Sequence, residues 1–498
     1  DPARKKQNAL NRPLNIYEVH AGSWKRHADG SAYSWDDLTA ELIPYVKDMG
    51  YTHIELLPIM EYPYDPSWGY QVTGYFAPTH RYGTPRQLMH FVDECHRQNI
   101  GVILDWVPAH FPRDSWGLAQ FDGTGLYENP DPRLASHPHW GTLTFNYRKN
   151  EVSNFLIGSA MFWADRYHAD GIRMDAVASM LYLDYGRQGE DAPRNIYGGN
   201  ENLDAVEFLK HLNSQFHKRF PGTLLIAEES TAWPNITGDV EQDGLGFDLK
   251  WNMGFMNDFL SYMSTDPFFR KGSYNQLTFS MIYNYSEDFM LVLSHDEVVH
   301  GKGSMLGKMP GETFEEKAQN LRAAYGYFWT HPGKKLLFMG QDFGQLREWS
   351  EERELDWYLM EEPRHRQLNE YFRELLHIYR KYPAMYEQDS DWNGFEWINA
   401  DDADRSIYSF VRKSKNGKNS LLFVCNMTPV ARDDYRVGVP KKGTYHLLLN
   451  SNEARFGGTE ADKSRPASYK AVKSECDGKA YSISYPLPPF GVAVFRVM

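Results

Sequence analysis

Four apolar runs in this 498-residue sequence end in an acid: residues 102–105 in Asp105, 171–175 in Asp175, 224–228 in Glu228 and 290–296 in Asp296. One acid at the end of a strand is an ordinary turn former or helix cap. Four are different if the runs are parallel strands of one closed sheet, because all four ends then face one mouth. Like charges gathered there resist ionising together and spread their pKa values. Within 171–175, Arg173 and Asp175 stand two apart, which on a strand puts both side chains on one face. The guanidinium then holds Asp175 ionised, as suits a nucleophile, while Glu228, set among other carboxylates, is raised, as suits an acid. Two acids with opposite shifts are what glycoside cleavage requires: one protonates the leaving oxygen while the other attacks the anomeric carbon. A retaining reaction needs them about 5–5.5 Å apart, and retention is the expectation here.

Positioning these acids is the task of the elements around them. Between about residues 14 and 345, short apolar runs alternate with amphipathic stretches of helical length, the pattern of strand-helix repeats on a parallel sheet. Eight runs are read as strands, at 15–19, 53–57, 102–107, 171–175, 224–228, 246–251, 289–294 and 335–338. Helices are read between them at 35–49, 85–98, 152–167, 203–219 and 314–329. The fold class expected is α/β, a closed (β/α)8 TIM-type barrel over residues 1–388, whose site lies at the carboxyl ends of the strands. Residues 109–149 are too long and too rich in Pro, Gly, Asp and aromatics for a plain connection and read as a loop excursion over the mouth. From 389 to 498 the text changes to short alternating segments such as 406–411, 420–426, 443–449 and 481–487, read as a C-terminal antiparallel β-sandwich domain.

Composition narrows the function classes. A formal charge of −13 argues against a nucleic-acid partner, which calls for a basic face. No apolar run is long enough to cross a bilayer, so no membrane partner is expected. Cys95, Cys425 and Cys476 make neither a disulfide framework nor a metal-ligand spacing, which points to a reducing cytoplasm and no metal. Aromatics are 15 % of the residues, and flat rings with polar edges suit sugar rings, although most must be core.

The four acid-ending segments, D-W-V-P-A-H at 105–110, G-I-R-M-D-A at 171–176, A-E-E-S-T at 227–231 and L-S-H-D-E-V-V-H-G at 293–301, resemble the conserved regions of the α-amylase superfamily, glycoside hydrolase family 13. Within it, I-Y-E-V-H-A-G-S-W from Ile16, W-G-Y-Q-V-T-G-Y-F-A-P from Trp68 and W-G-T-L-T-F-N-Y from Trp140 look like the bacterial glycogen branching enzymes. The resemblance runs over nearly the whole chain. It implies an enzyme of the glycosyltransferase kind that cuts α-1,4-glucan and rejoins the piece to a 6-hydroxyl as an α-1,6 branch. It implies Asp175 as nucleophile, Glu228 as general acid/base and Asp296 as the third carboxylate, which grips and distorts the sugar. It further implies that His110 and His295 hydrogen-bond sugar hydroxyls, that Tyr70 stacks on the ring, that Arg173 orients Asp175 and that Asp105 supports the site.

No cofactor is implied, since the donor's glycosidic bond supplies the free energy. Ala109 stands where calcium-binding amylases usually carry Asn and offers no side-chain oxygen for a calcium ion. Branching enzymes carry one or two β-sandwich modules ahead of the barrel, and this sequence starts almost at the first strand without one. A monomer acting on glycogen, amylose or amylopectin-like chains is expected. Two other readings remain at this stage: a related α-glucan hydrolase, of amylase or maltooligosyl-trehalose trehalohydrolase type, and a catalytically dead glucan-binding barrel. The intact carboxylate trio argues against the second.

Overall fold

Runs that are apolar at every position make strands buried on both faces, and that is what the first two-thirds of the chain supplies. The computed structural model describes residues 2–137, 139–187 and 192–497. Eight parallel strands close a barrel in chain order: β1 (Asn15–Val19), β2 (His53–Leu56), β3 (Gly101–Trp106), β4 (Gly171–Met174), β5 (Leu224–Ala227), β6 (Leu249–Trp251), β7 (Phe289–Leu293) and β8 (Lys334–Phe338), with β8 pairing back to β1. Every residue of these strands is buried. The sixth strand is shorter than the run read from sequence: it begins at Leu249, after irregular residues that include Gly246 at φ +77°.

The strand period of two sorts the side chains into two cores. Ile16, Ile103, Leu224, Ile226, Leu249, Trp251, Met290, Val292 and Leu336 fill the lower barrel interior. Their neighbours Tyr17, Ile54, Val102, Leu104, Ile172, Leu225 and Leu291 point outward into a second core beneath the helices. Among those helices are α1 (Trp35–Met49), α2 (Pro85–Arg97), α3 (Asn150–Arg166), α4 (Leu203–Arg219), α5 (Met253–Ser264), α6 (Phe314–Thr330) and α7 (Pro363–Lys381). Three begin with reciprocal capping boxes, Ser34 with Asp37 on α1, Thr84 with Gln87 on α2 and Thr313 with Glu316 on α6, so their start points are written in the sequence.

Beyond α7 all strands are antiparallel. A six-stranded sheet runs in the order β9 (Phe395–Asn399), β10 (Ile407–Arg412), β11 (Leu421–Asn426), β16 (Val492–Val497), β13 (Thr444–Asn450), β14 (Ser468–Lys470), and β12 (Arg436–Val439) pairs with β15 (Tyr481–Ser484). Alternation again divides the faces. Tyr408, Phe410, Leu421, Phe423 and Cys425 join the core shared with the barrel helices, whereas Ile407, Val411, Leu422 and Val424 pack with Val437, Ile483 and Tyr485 in a separate core between the two sheets. No helix among the described residues is long and apolar enough to cross a membrane.

Candidate active site

Strand register brings the acids together. Asp105 on β3 lies opposite Arg173 on β4, and Met174 lies opposite Ala227, so Asp175 and Glu228 emerge side by side one residue past their strand ends. One fully buried guanidinium serves all three carboxyls. Arg173 Nη1 donates to Asp105 Oδ1 and Oδ2 at 2.7 and 2.8 Å and to Asp175 Oδ1 at 3.1 Å, while Nη2 donates to Glu228 Oε2 at 2.8 Å. The underside of the guanidinium rests 4.4 Å from the centre of the Trp251 ring, a cation–π contact that fixes its plane. Nη1 and Nη2 of one guanidinium thus hold Asp175 and Glu228 side by side.

The chain turn after Asp175 completes the grip on Glu228. Ala176 adopts φ +53°, ψ +38°, a left-handed conformation that costs a non-glycine residue about 1–2 kcal/mol. It aims the Ala176 N–H at Glu228 Oε2, 2.9 Å away. Strain of this kind persists where surrounding structure over-determines it, commonly at functional sites.

Electrostatics then separate the two acids. Burial alone would raise Asp175, but the His110 ring, with Nε2 3.6 Å from Oδ2, and the Arg173 charge outweigh it, and its pKa falls below the usual carboxylate value. Burial also raises Glu228. There the Arg173 charge is too small an offset, Asp175 and Asp296 push the same way as burial, and the pKa rises to about 8. At neutral pH one member of the pair is ionised and the other protonated.

The remaining residues expected from sequence surround this pair. The hydroxyl of Tyr70 donates to Asp105 Oδ2 at 2.5 Å, and its ring stacks on that of His295 with centroids 5.6 Å apart. Tyr70 is placed by the turn before it, where Gly69 at φ +96° has room for no Cβ: one would stand 2.4 Å from the Pro58 carbonyl oxygen. His110 begins a two-residue ribbon pairing with Thr144, which closes the 109–149 segment on itself. Asp296 differs from the strand-end placement read from sequence. β7 ends at Leu293, and Asp296 sits in the 3-10 turn His295–Val298 with a side chain 43 % exposed, the most open of the trio.

A cavity of about 380 Å³ opens over Asp175, Glu228 and Asp296, within the usual range for small-molecule sites. Its walls include aromatic residues to which sequence reading assigned no role. On one side Trp140 stacks on His137 at 3.5 Å with Tyr185 beyond it; on the other Trp68 stacks on His300 at 5.3 Å. Two acids on the inner barrel face also escaped notice, Glu18 on β1 and Glu55 on β2, register neighbours and both fully buried. The period-two alternation with Ile16 and His53 is the signal that could have placed them inside.

A closed parallel barrel with a carboxylate trio at its mouth and an antiparallel β domain behind it defines an α-amylase-type glycosidic enzyme. The sequence matches the alpha amylase catalytic domain over residues 24–120 and the alpha amylase C-terminal all-beta domain over residues 397–498. Solved structures agree in fold: an alpha-amylase from H.orenii (TM-score 0.70, 17 % identity, 98 % of this chain and 100 % of that one) and an acarbose-complexed alpha-amylase from Geobacillus thermoleovorans (TM-score 0.68, 14 % identity, 97 % and 98 %). Among curated proteins, the 1,4-alpha-glucan branching enzyme GlgB of Butyrivibrio fibrisolvens is 56 % identical over 97 % of this chain and 76 % of its own length. That of Aquifex aeolicus is 52 % identical over 99 % and 78 %. The chain belongs to the 1,4-alpha-glucan branching enzyme family.

Proposed function

We propose that Asp175 and Glu228 carry the family's branching reaction as a retaining double displacement: an α-1,4-glucan is cut and the piece is transferred to a 6-hydroxyl as an α-1,6 branch. The observation that carries this reading is the single guanidinium of Arg173 spanning both carboxyls while their pKa values move in opposite directions. Oε2 of Glu228 accepts from both Arg173 and Ala176, which leaves Oε1 to bear the proton.

In the first step an Asp175 oxygen attacks the anomeric carbon, and Glu228 passes its proton to the departing 4-oxygen, giving a glycosyl ester on Asp175 and a free chain end. In the second, the carboxylate of Glu228 takes the proton of an incoming 6-hydroxyl, whose oxygen attacks the same carbon and releases Asp175. Two inversions give net retention, and atoms balance without water or cofactor. Asp296 grips the hydroxyls of the sugar being cut, with His110 and His295 as hydroxyl partners and Tyr70 against the ring. Asp105 anchors Arg173 and Tyr70. The aromatic walls favour transfer over hydrolysis by holding the acceptor chain, which raises its effective concentration relative to water. Buried, unpaired Cys95 and Cys425 accord with a reducing, cytoplasmic setting.

The covalent intermediate is the point to test. A Glu228→Gln variant given an α-maltosyl fluoride needs no acid for the first step but lacks the base for the second. A glycosyl adduct on the peptide containing Asp175, found by mass spectrometry, is the expected result; an adduct on another residue, or none, would remove Asp175 from the role of nucleophile.

A further inference from the structure

The mechanism above makes no use of Glu18. It lies on β1, a strand that bears none of the catalytic acids, and strand alternation turns its wholly buried side chain into the barrel toward the turn after β7. Both of its oxygens are taken by one residue there. Oε2 accepts the backbone N–H of His295 at 2.9 Å, and Oε1 lies 2.7 Å from His295 Nδ1. The other ring nitrogen, Nε2, faces the cavity, 3.4 Å from the Tyr70 hydroxyl and 3.5 Å from Asp296 Oδ1.

We propose that Glu18 is a positioning residue for the transfer reaction: its carboxylate holds His295 as an imidazolium, so that Nε2–H offers a charged hydrogen bond to a hydroxyl of the sugar gripped by Asp296. This rests on the reading of His295 as a sugar-binding residue. Hydrogen-bond geometry supplies both protons. A carboxylate that already accepts the backbone N–H of His295 accepts again at Nδ1, which therefore carries hydrogen. Tyr70 has committed its own hydrogen to Asp105, so its oxygen can only accept from Nε2, and the nearby Asp296 is likewise an acceptor.

The surroundings favour the same state. Burial alone favours a neutral ring, but Asp296 from the same turn and Glu18 from β1 outweigh it, against a smaller opposing push from Arg173 on β4, and the pKa rises to about 9. His20, after β1, is neutral, its own pKa lowered to about 3 by burial. Burial, then the charges of Glu18 and Asp105, push the pKa of Glu55, the register neighbour of Glu18, well above the usual carboxylate value. A purely structural residue here would be served better by an apolar side chain, since a buried carboxylate must recover its lost hydration from specific partners.

The test is Glu18→Gln, which keeps the shape and an acceptor for the His295 N–H. Branching rate on amylose is followed as kcat and KM against pH, together with ring-nitrogen NMR of histidine-labelled protein. The expected outcome is a His295 ring that loses its charge at a pH well below that in the unsubstituted enzyme. With it kcat at pH 8 falls about tenfold, the difference between a charged and a neutral hydrogen bond, and the gap narrows toward acid pH. Glu18→Asp, which keeps the charge on a shorter arm, restores the titration, and this carries the test if the glutamine variant does not fold. A His295 titration and a kcat profile unchanged in Glu18→Gln would overturn the proposal. His295→Ala separates the two levels: undiminished branching in that variant would remove His295 from the site. A large loss there beside a wild-type Glu18→Gln would overturn only the role of Glu18.

Discussion

Arg173 is the residue on which the site turns, because it gives three carboxyls one fixed reference while burial and the neighbouring charges move the pKa values of Asp175 and Glu228 apart. The buried Glu55 shows the other outcome available to an acid in this barrel. Neither of its oxygens has a hydrogen-bond partner among the described residues, and burial, then the charges of Glu18 and Asp105, raise its pKa well above the usual value. The sign of the consequence follows from linkage. The unfolded chain releases this proton near pH 4.3 while the folded chain keeps it, so stability falls as pH rises from there toward the folded pKa, by up to about 1.4 kcal/mol per pH unit. Glu55→Gln has no proton to lose. Its stability relative to the unsubstituted protein is expected to improve steadily from pH 5 to pH 7, measured by urea unfolding at each pH; a difference that is flat across this range would mean Glu55 is ionised in the fold.

At the level of elements, the division between strand and loop decided what the sequence disclosed. Asp105, Asp175 and Glu228 are legible because apolar runs end at them, and Arg173 because a period of two puts it on the same face as Asp175. Asp296 reads as a strand end in the sequence, since the 3-10 turn that holds it, beginning two residues past β7, leaves no periodic mark. Trp140, Tyr185, Trp68 and His300 were illegible as site residues: all lie on connections, where a side chain's direction depends on the path of the whole loop. Gly69 illustrates that dependence. Gly69→Ala forces a Cβ against the Pro58 carbonyl at positive φ, and the turn must move and carry Tyr70 with it. A loss of about 1 kcal/mol or more in stability is expected, with a fall in branching rate that cell-free assay on amylose would show; full activity in a stable Gly69→Ala variant would mean that Tyr70 is placed by other contacts.

On the scale of the molecule, the C-terminal sheet shares a core with the barrel's helices and is fastened to them by buried polar contacts. Arg270 Nη1 donates to the Met427 carbonyl at 2.8 Å, Tyr274 and Tyr408 stack 4.3 Å apart, and Arg412 donates to the Thr330 carbonyl at 2.9 Å while pairing with Asp389, which also holds Lys334 at 2.9 Å. Sequence reading separated the two regions by their periodicity but had no means of finding these fastenings, which join residues up to 157 positions apart. Arg412→Ala leaves Asp389 buried with half its partners, and breaking a buried pair in this way costs about 3–5 kcal/mol. Calorimetry is expected to show one lowered transition for barrel and sheet together; two transitions, with the barrel's unmoved, would mean the two regions unfold independently.

The central claim, that this barrel transfers glucan chains through Asp175, is tested most directly by incubating the protein with amylose. Iodine colour and reducing ends are followed together, and the product is then treated with an α-1,6-debranching enzyme, with Asp175→Asn run in parallel. Falling colour without a matching rise in reducing ends, release of short chains on debranching, and a loss of at least about a thousandfold in the variant are predicted. Reducing ends rising in step with the loss of colour, or an Asp175→Asn variant that still branches, would contradict it.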